Sequence, residues 1–313
     1  MTTCPICNSN NARINLCKVS FTYQSEFDLS ECPDCGVIYF NPIPTKEQFV
    51  NFYSSLGYDF NRWREEIKGN NYIKRLEKIK KQGRFLDLGC ASAYFINKID
   101  KDSDWEVYGV ELSQKPVEFA RNVLGLKNIT HGDLFDANYA DNFFDCIHIS
   151  DVLEHVPNPL QILTECKRIL KDDGYIFLNV PNGYSDSRGM IRYYKDFNEK
   201  SGHSSGHVFF FPPQTLKYMF ERTGLEIDKC TSFGIKRGLR NMGLLPMKSN
   251  WSIKYQPRRE KEIPYGKDIK LVTERRHTNF YYWLRYYKRN LFQIPGLHKF
   301  GLNFNFILRC KRE

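Results

Sequence analysis

The stretch that most constrains the fold is a short apolar strand followed at once by a turn of small residues. It reads Phe85-Leu-Asp-Leu-Gly-Cys-Ala-Ser-Ala93. The apolar residues at its start predict a buried strand, whereas Gly89, Ala91 and Ala93 keep bulky side chains away from the turn. Such a turn at the start of a helix lets a ligand approach the backbone N–H groups. By itself the pattern is weak, because glycine-rich turns are common.

Acidic residues close the strands that follow. Glu111 ends a predicted strand at 105–110, 24 residues after Asp87. Asp133 follows a strand at 128–131, and a third strand, 144–149, runs into Ser-Asp-Val-Leu-Glu-His155. A carboxylate that closes the second strand can accept two hydrogen bonds from a ribose diol. The alternation of strands and helices predicts an α/β fold with a parallel sheet covered on both faces.

These residues together resemble the class I S-adenosylmethionine-dependent methyltransferases, over about residues 83–233 and the last strand. In that family the first turn reads D-x-G-x-G-x-G, and here alanine takes the last two glycine positions. The resemblance implies a Rossmann-like sheet of seven strands. It also implies that S-adenosylmethionine binds with its methionine end at Asp87 and Gly89, its ribose at Glu111 and its adenine at Asp133. Further cofactor contacts are implied at Ala91, Leu112, Leu134, Ser150 and Tyr58.

A doubly wound domain that binds a dinucleotide is the alternative interpretation of the same pattern. The first turn lacks the G-x-G-x-x-G spacing that places a pyrophosphate on a helix end, which favours the methyltransferase-like interpretation.

Four of the ten cysteines form two C-x2-C pairs near the N-terminus, Cys4-Pro-Ile-Cys7 and Cys32-Pro-Asp-Cys35. Two such pairs supply the four thiolates of a tetrahedral zinc site, and alternating runs at 13–21 and 25–30 predict a hairpin between them. We predict a zinc ribbon over residues 1–44 whose closed metal site is structural. Four unrelated reduced cysteines are the alternative. The remaining six are ordinary buried thiols by their positions: Cys17, Cys90, Cys146, Cys166, Cys230 and Cys310.

The rest of the chain divides into three parts. The sequence of residues 45–82 predicts two helices, the first capped by Thr45. We expect them to form a lid over the cofactor, as in the resembled family. The core occupies 83–234 and returns at 301–313, where an alternating run predicts a last strand, antiparallel in the resembled family. Within the core, Asn158 and Pro159 open an amphipathic helix that residues 172–174 are expected to end.

Residues 235–300 form a basic insertion before the last strand. It carries sixteen Lys and Arg against four acids, a net +12, whereas the whole chain carries +10. We expect helices in it, particularly at 279–292, because a structureless loop of that length is unusual. Its aromatic run, Phe280-Tyr-Tyr-Trp-Leu-Arg-Tyr-Tyr-Lys-Arg289, has packing against the sheet as its simplest role.

The candidate catalytic residues follow the fourth strand of the core and the fifth. His155 is the leading candidate for a general base, because an unperturbed imidazole titrates near neutrality. Asp151 and Glu154 lie beside it in the sequence, and His207 belongs to a loop that reaches the same mouth. Capping and packing roles are the alternative for each residue. The set also resembles the metal site of plant small-RNA 2′-O-methyltransferases and ubiquinone-pathway O-methyltransferases. A catalytic divalent metal bound by Asp151, Glu154, His155 and His207 is therefore a further hypothesis.

The ribbon, the core and the loop Gly206-His-Val-Phe-Phe-Phe-Pro-Pro213 together resemble bacterial methyltransferases of sugars, glycans and secondary metabolites. We therefore predict O-methylation of a sugar, a nucleotide-sugar or a surface glycan, whose phosphates would meet the basic insertion. RNA methylation is the second hypothesis, because a basic aromatic segment suits a nucleic-acid backbone. Attachment to an anionic membrane surface and a non-catalytic, cofactor-binding regulatory role are the others.

No apolar run approaches the roughly 20 residues that cross a bilayer, and the first residues lack the pattern of a secretory signal. The sequence predicts a cytoplasmic protein, with the inner face of the membrane as an alternative location.

Overall fold

Strands and helices alternate through most of the chain. The computed structural model describes residues 3–11, 14–21, 25–55, 62–188, 191, 206–241, 244–245 and 301–311. In chain order the strands are β1 (Ile14–Phe21), β2 (Ser25–Glu31), β3 (Ile38–Asn41), β4 (Gln82–Leu88), β5 (Asp104–Glu111), β6 (Ile129–His131), β7 (Phe144–Ser150), β8 (Leu170–Pro181), β9 (Phe209–Phe210), β10 (Leu225–Phe233) and β11 (Asn303–Cys310). The helices are α1 (Lys46–Ser55), α2 (Arg62–Leu76), α3 (Tyr94–Asp102), α4 (Gln114–Asn122), α5 (Pro159–Ile169), α6 (Pro213–Arg222) and α7 (Ile235–Asn241). Residues 183–188 are also helical.

Some predictions fall outside the described residues. These are the cofactor contact Tyr58, the aromatic run 280–289 and most of the basic insertion. Within the described parts of the chain, no helix combines the length and the apolar character that a bilayer crossing requires.

Seven strands form a mixed sheet in the order β10-β11-β8-β7-β4-β5-β6. Strands β4 to β8 run parallel, whereas β11 is antiparallel to both β8 and β10. The predicted seven-stranded Rossmann-like sheet with an antiparallel last strand is confirmed. The chain builds the sheet outward from β4 on one side and from β7 on the other. In open α/β sheets, ligands bind where the strand order reverses in this way, outside the carboxyl ends of the strands.

Helices cover both faces of this sheet, so its central strands are almost continuously buried. In β7, Phe144, Cys146, Ile147 and Ile149 have no exposed surface, which is typical of a parallel strand covered on both sides. Each fully buried side chain of this kind stabilises the fold by about 1.5–3 kcal/mol relative to leaving it exposed. The strand is therefore a rigid base for the residues that follow it.

Local signals set some of the helix ends. Thr45 and Gln48 form a reciprocal cap at the start of α1, with the Gln48 N–H donating to Thr45 Oγ1 and the Thr45 N–H donating to Gln48 Oε1. Helix α5 begins at Pro159 as predicted, although the Asn158 side chain makes no capping hydrogen bond. It ends at Ile169, earlier than the predicted stop at 172–174. Leu170 already pairs with Phe144 as the first residue of β8, so the strand takes over the chain at that point.

A second sheet has the order β1-β2-β3-β9. Strands β1 and β2 form the antiparallel hairpin predicted between the cysteine pairs. Residues 3–41, here called the cysteine module, supply three of the four strands. The fourth, β9, comes from the loop after β8, so the module and the core share this sheet.

Candidate active site

The turn after β4 presents its backbone at the start of α3. Gly89, Ala91 and Ala93 all have positive φ angles, 73°, 47° and 58°. Glycine adopts this left-handed conformation freely, whereas alanine is strained in it. The two alanines therefore keep the backbone path of the glycines in the D-x-G-x-G-x-G motif. A Cβ at Gly89 would lie 2.8 Å from Cγ2 of Val152, so this position has no room for a side chain.

The strain at the turn gives a test of this geometry. Ala91 is exposed, so Ala91→Gly loses no buried surface. Relief of about 1–2 kcal/mol of strain should exceed the gain of about 0.4–1 kcal/mol in unfolded-chain entropy. Chemical denaturation should thus show Ala91→Gly to be as stable as the parent or up to about 1 kcal/mol more stable. Ala91→Val should be destabilised, because β-branched residues tolerate positive φ poorly. Equal stability of the valine variant would contradict the left-handed turn.

Glu111 lies at the end of β5 with a fixed carboxylate. Its Oε2 accepts the N–H of Ala91 at 3.0 Å, and its Oε1 accepts the N–H of Ser113 at 2.9 Å. The side chain is 8% exposed. Burial raises the pKa of Glu111 above its ordinary value, although these two N–H groups act in the opposite direction. Each oxygen keeps lone pairs beyond its backbone contact, so a bound diol can still be recognised.

Asp87, at the end of β4, is paired with a histidine that the sequence prediction missed. His148 of β7 stands opposite Asp87 in the parallel register, and its Nδ1 lies 2.5 Å from Asp87 Oδ1. Burial lowers the pKa of His148, so the ring is neutral and Nδ1 donates to the carboxylate. Nε2 of His148 is buried without a hydrogen-bond partner among the described residues. This contact uses Oδ1, so Oδ2 of Asp87 stays available to a ligand in the cleft that Asp87 lines.

A cleft opens where these strands end. Asp87, Gly89, Ala91, Ser150 and Asp151 line it. Two charged residues of α2, Glu65 and Lys68, line its other side. The mixture of carboxylates, one ammonium group and open backbone suits a zwitterionic amino-acid group next to a polar sugar.

The three other predicted cofactor contacts lie around β6. Asp133 Oδ1 accepts the N–H groups of residues 135 and 136, and Oδ2 forms an ion pair with Lys46 of α1 at 3.0 Å. Partial burial would raise the pKa of Asp133, but Lys46 and the turn N–H groups outweigh it and lower the pKa. The carbonyl of Leu112 lies 3.2 Å from Nε2 of His131, and Leu134 is buried in the core.

A second polar cluster follows β7. Glu154 is 1% exposed, and neither carboxylate oxygen has a hydrogen-bond partner among the described residues. Nε2 of His155 and Nε2 of His207 each lie 3.9 Å from Glu154 Oε1. The centroids of the two imidazole rings are 4.7 Å apart. Nδ1 of His155 donates to the Gly206 carbonyl at 2.9 Å. Nδ1 of His207 lies 2.6 Å from Asp186 Oδ2. Both rings thus turn Nε2 towards Glu154.

Burial and neighbouring charges shift the pKa values of the three residues in this cluster in different directions. Burial raises the pKa of Glu154 to about 8. Burial and the neighbouring His207 lower the pKa of His155 to about 3. For His207, burial acts to lower the pKa, but Asp186 and Glu154 outweigh it and raise the pKa to about 9. His155 is therefore a much weaker base than its ordinary pKa suggested, and Glu154 is the group whose proton affinity matches neutral pH.

The four thiols of the cysteine module converge. Sγ of Cys4 lies 3.7 Å from Sγ of Cys35, and Sγ of Cys7 lies 3.6 Å from Sγ of Cys32. All four sulfur atoms lie within 4.8 Å of one another. Zinc–thiolate bonds of about 2.3 Å place tetrahedral sulfurs about 3.8 Å apart, so the set fits a zinc ion.

A family model described as a methyltransferase domain matches residues 58–229, more than half of the chain. The chain belongs to this methyltransferase domain family. The match covers the turn after β4, the acidic residues at or just after the ends of β5 and β6, and the cluster of Glu154, His155 and His207.

Curated relatives of the methyltransferase domain include proteins of quinone biosynthesis. A ubiquinone biosynthesis O-methyltransferase of Neisseria meningitidis is 26% identical over 156 residues, 46% of this chain and 64% of the relative. Another, from Haemophilus ducreyi, is 29% identical over 52% of this chain and 73% of its own length. A demethylmenaquinone methyltransferase of Bacillus mycoides is 24% identical over 59% and 84%. The chain thus spans less than two thirds of the Neisseria relative.

Solved structures that align with this chain include two that are similar over most of its length. The [4+2]-cyclase SpnF aligns with a TM-score of 0.50 at 14% identity, over 87% of this chain and 98% of that one. A SAM-dependent methyltransferase from Archaeoglobus fulgidus aligns with a TM-score of 0.46 at 20% identity, over 78% and 93%. Because SpnF is a cyclase, the fold by itself does not determine the reaction.

The structure brings together three of the four predicted ligands of a catalytic metal. Glu154, His155 and His207 form one cluster, whereas Asp151 lines the cleft after β4. Asp151 directly follows β7 with φ of 57°, and its carboxylate accepts the Ser150 hydroxyl at 3.2 Å.

Two partners of the site were not predicted. His148 carries a weak sequence signal, a polar residue inside the apolar run 144–149. Asp186 carries none, because it meets His207 only through the return of the loop 21 residues later.

Proposed function

We propose that this chain is an S-adenosylmethionine-dependent O-methyltransferase. The observation that carries the proposal is the buried Glu154 carboxylate. Its oxygens have no hydrogen-bond partner among the described residues and face two imidazoles beside a cleft suited to the cofactor. A buried carboxylate without hydrogen bonds is costly, so such a group persists where a ligand completes it.

The cleft supports the cofactor part of the proposal. Glu111 would hold the ribose hydroxyls with the lone pairs that the turn leaves unused. Asp87, fixed by His148, would receive the amino group of the methionine end, and Lys68 lies where it can meet the carboxylate. Asp133 is the proposed partner of the adenine amino group, in competition with Lys46. Tyr58 stays a predicted contact.

Bound S-adenosylmethionine supplies an electrophilic methyl group, which an in-line attack by the acceptor transfers. The chain must therefore hold the acceptor hydroxyl at the mouth of the cleft and take its proton. Glu154 is the proposed proton acceptor, because burial brings its pKa close to neutrality. His155 and His207 orient the hydroxyl, and Asp186 fixes the His207 ring.

A divalent ion is the second way to complete the cluster. One carboxylate and two Nε2 atoms fit such an ion, and each ring is fixed through Nδ1, as metal-ligating histidines usually are. The ion would lower the pKa of an acceptor hydroxyl held at the site. The four thiols of the cysteine module are proposed as a separate, structural zinc site.

For the acceptor we propose a sugar or a nucleotide-sugar, on the sequence resemblance described above. A hydroxyl of a quinone precursor is the second candidate, because the curated relatives include ubiquinone biosynthesis O-methyltransferases. RNA methylation and membrane attachment stay predictions, because most of the basic insertion on which both depend lies outside the described residues.

Methyl transfer from a labelled donor tests the proposal. The full chain is offered nucleotide-sugars and free sugars, and separately dihydroxybenzenes, each with and without Mn²⁺. Mn²⁺ is chosen because carboxylate and imidazole bind it, whereas thiolates prefer zinc. We expect a methyl ether on a hydroxyl, formed about tenfold faster or more with Mn²⁺ if the cluster holds a metal. A chain that binds the donor but methylates no hydroxyl in either group would contradict the proposal and favour a regulatory role.

A further inference from the structure

The cysteine module is joined by backbone hydrogen bonds to the loop that carries His207. Strand β3 pairs antiparallel with β9, with Ile38 opposite Phe210 and Tyr39 opposite Phe209. In the described chain, β3 is the single strand neighbour of β9. A strand of two residues has little stability of its own, so this pairing helps to fix its position, together with the burial of both phenylalanines.

One residue connects the module to both parts of the candidate site. The carbonyl of Val208 accepts the N–H of Phe40 at 3.0 Å, and the N–H of Val208 donates to the carbonyl of Glu154 at 2.8 Å. Val208 is fully buried and directly follows His207. A shift of β3 would therefore be transmitted to the His207 ring and to the Glu154 turn.

A side chain adds a second link, at the backbone of the Cys32–Cys35 loop. Thr215, at the start of α6, is fully buried, and its hydroxyl donates to the carbonyl of Cys35 at 2.7 Å. A Cβ at the following Gly36 would lie 2.6 Å from Nε2 of Gln214, so the loop packs closely on this helix. The Cys32–Cys35 loop thus leads directly into β3 while it rests on the core.

We propose that the cysteine module is a positioning element of the acceptor site, which holds His207 and Glu154 in register through Val208. The state of its four thiols consequently controls turnover without touching the cofactor cleft. This inference rests on the proposed function for its kinetic part alone, because the structural coupling can be measured without any acceptor.

Hydrogen exchange in the full chain tests the coupling. Exchange is followed by mass spectrometry for the untreated chain, for the chain after a chelator has removed bound metal, and for the variant Cys35→Ser. We expect amides of 206–212 and 153–156 to exchange at least about tenfold faster, with those of β4 and β5 unchanged. S-Adenosylhomocysteine should bind within about twofold of its original affinity, while turnover of any acceptor falls about tenfold or more. Faster exchange in β1 and β2 with no change at 206–212 would overturn the proposal.

A matched pair of variants separates coupling from general destabilisation. Thr215→Val removes the link to Cys35, whereas Thr223→Val, at the other end of α6, removes hydrogen bonds made only within that helix. Only the first should speed exchange at 206–212. Equal effects of the two variants would overturn the proposal. If no acceptor is turned over at all, the proposed function fails while the exchange data still decide the coupling.

Discussion

Glu111→Gln is expected to weaken the binding of S-adenosylhomocysteine by about a hundredfold or more. The two charge-assisted hydrogen bonds proposed between Glu111 and the ribose, each worth about 1.5–3 kcal/mol, would lose their anionic acceptor. The amide also cannot accept both the Ala91 and the Ser113 N–H groups, so the turn loses a fixed contact. Saturating ligand should raise the melting temperature of the parent chain and leave that of the variant almost unchanged.

Glu106→Gln is the matched control for this experiment. Glu106 lies on the same strand, but its carboxylate is exposed and pairs with Arg84 on the surface. The control should keep the full ligand-induced shift. A Glu111→Gln chain that folds and shows the same shift as the parent would contradict the proposed ribose contact.

Glu154→Gln is expected to lower kcat by about 10²–10⁴-fold, the contribution of a positioned proton acceptor. The substitution keeps the shape of the side chain but removes the charge that faces the two imidazoles. Binding of S-adenosylhomocysteine should be unchanged, because Glu154 groups with His155 and His207 and is not among the residues proposed to hold the cofactor. His155→Ala should show the same split between turnover and cofactor binding. Initial rates together with ligand-induced melting shifts measure both quantities.

The stability of Glu154→Gln provides an independent check. Burial raises the folded-state pKa of Glu154 to about 8, above its ordinary value, so the ionised carboxylate opposes folding. This destabilisation of the parent grows as the pH rises from about 4.5 to about 8 and reaches its maximum above pH 8. The variant lacks the carboxylate, so its stability relative to the parent should increase over the same pH range. The control is Glu118→Gln on the exposed side of α4, which should change neither turnover nor this pH profile. Full turnover in Glu154→Gln would remove the carboxylate from the mechanism.

The sequence predicted the sheet because its signals there are local. The apolar run of β7, the small residues after β4 and the alternation in β11 each determine an element without reference to the rest of the chain. Even the alanines at positions 91 and 93 take the positive φ angles that glycine adopts freely, so the turn keeps its path despite the two substitutions in the family motif.

What could not be predicted depends on contacts between distant segments. Burial and the neighbouring His207 lower the pKa of His155, and we propose Glu154 as the proton acceptor for that reason. The Asp87–His148 pair requires the register of two strands separated by 61 residues. The sharing of a sheet by the cysteine module and β9 requires the pairing of β3 with a strand of only two residues, which has no sequence signature.

Calorimetric titration of S-adenosylhomocysteine into the full chain tests the central claim most directly. A cofactor cleft at the ends of β4, β5 and β7 predicts one site per chain, from which S-adenosylmethionine displaces the ligand. No measurable association with either compound, or association that Glu111→Gln leaves intact, would contradict it.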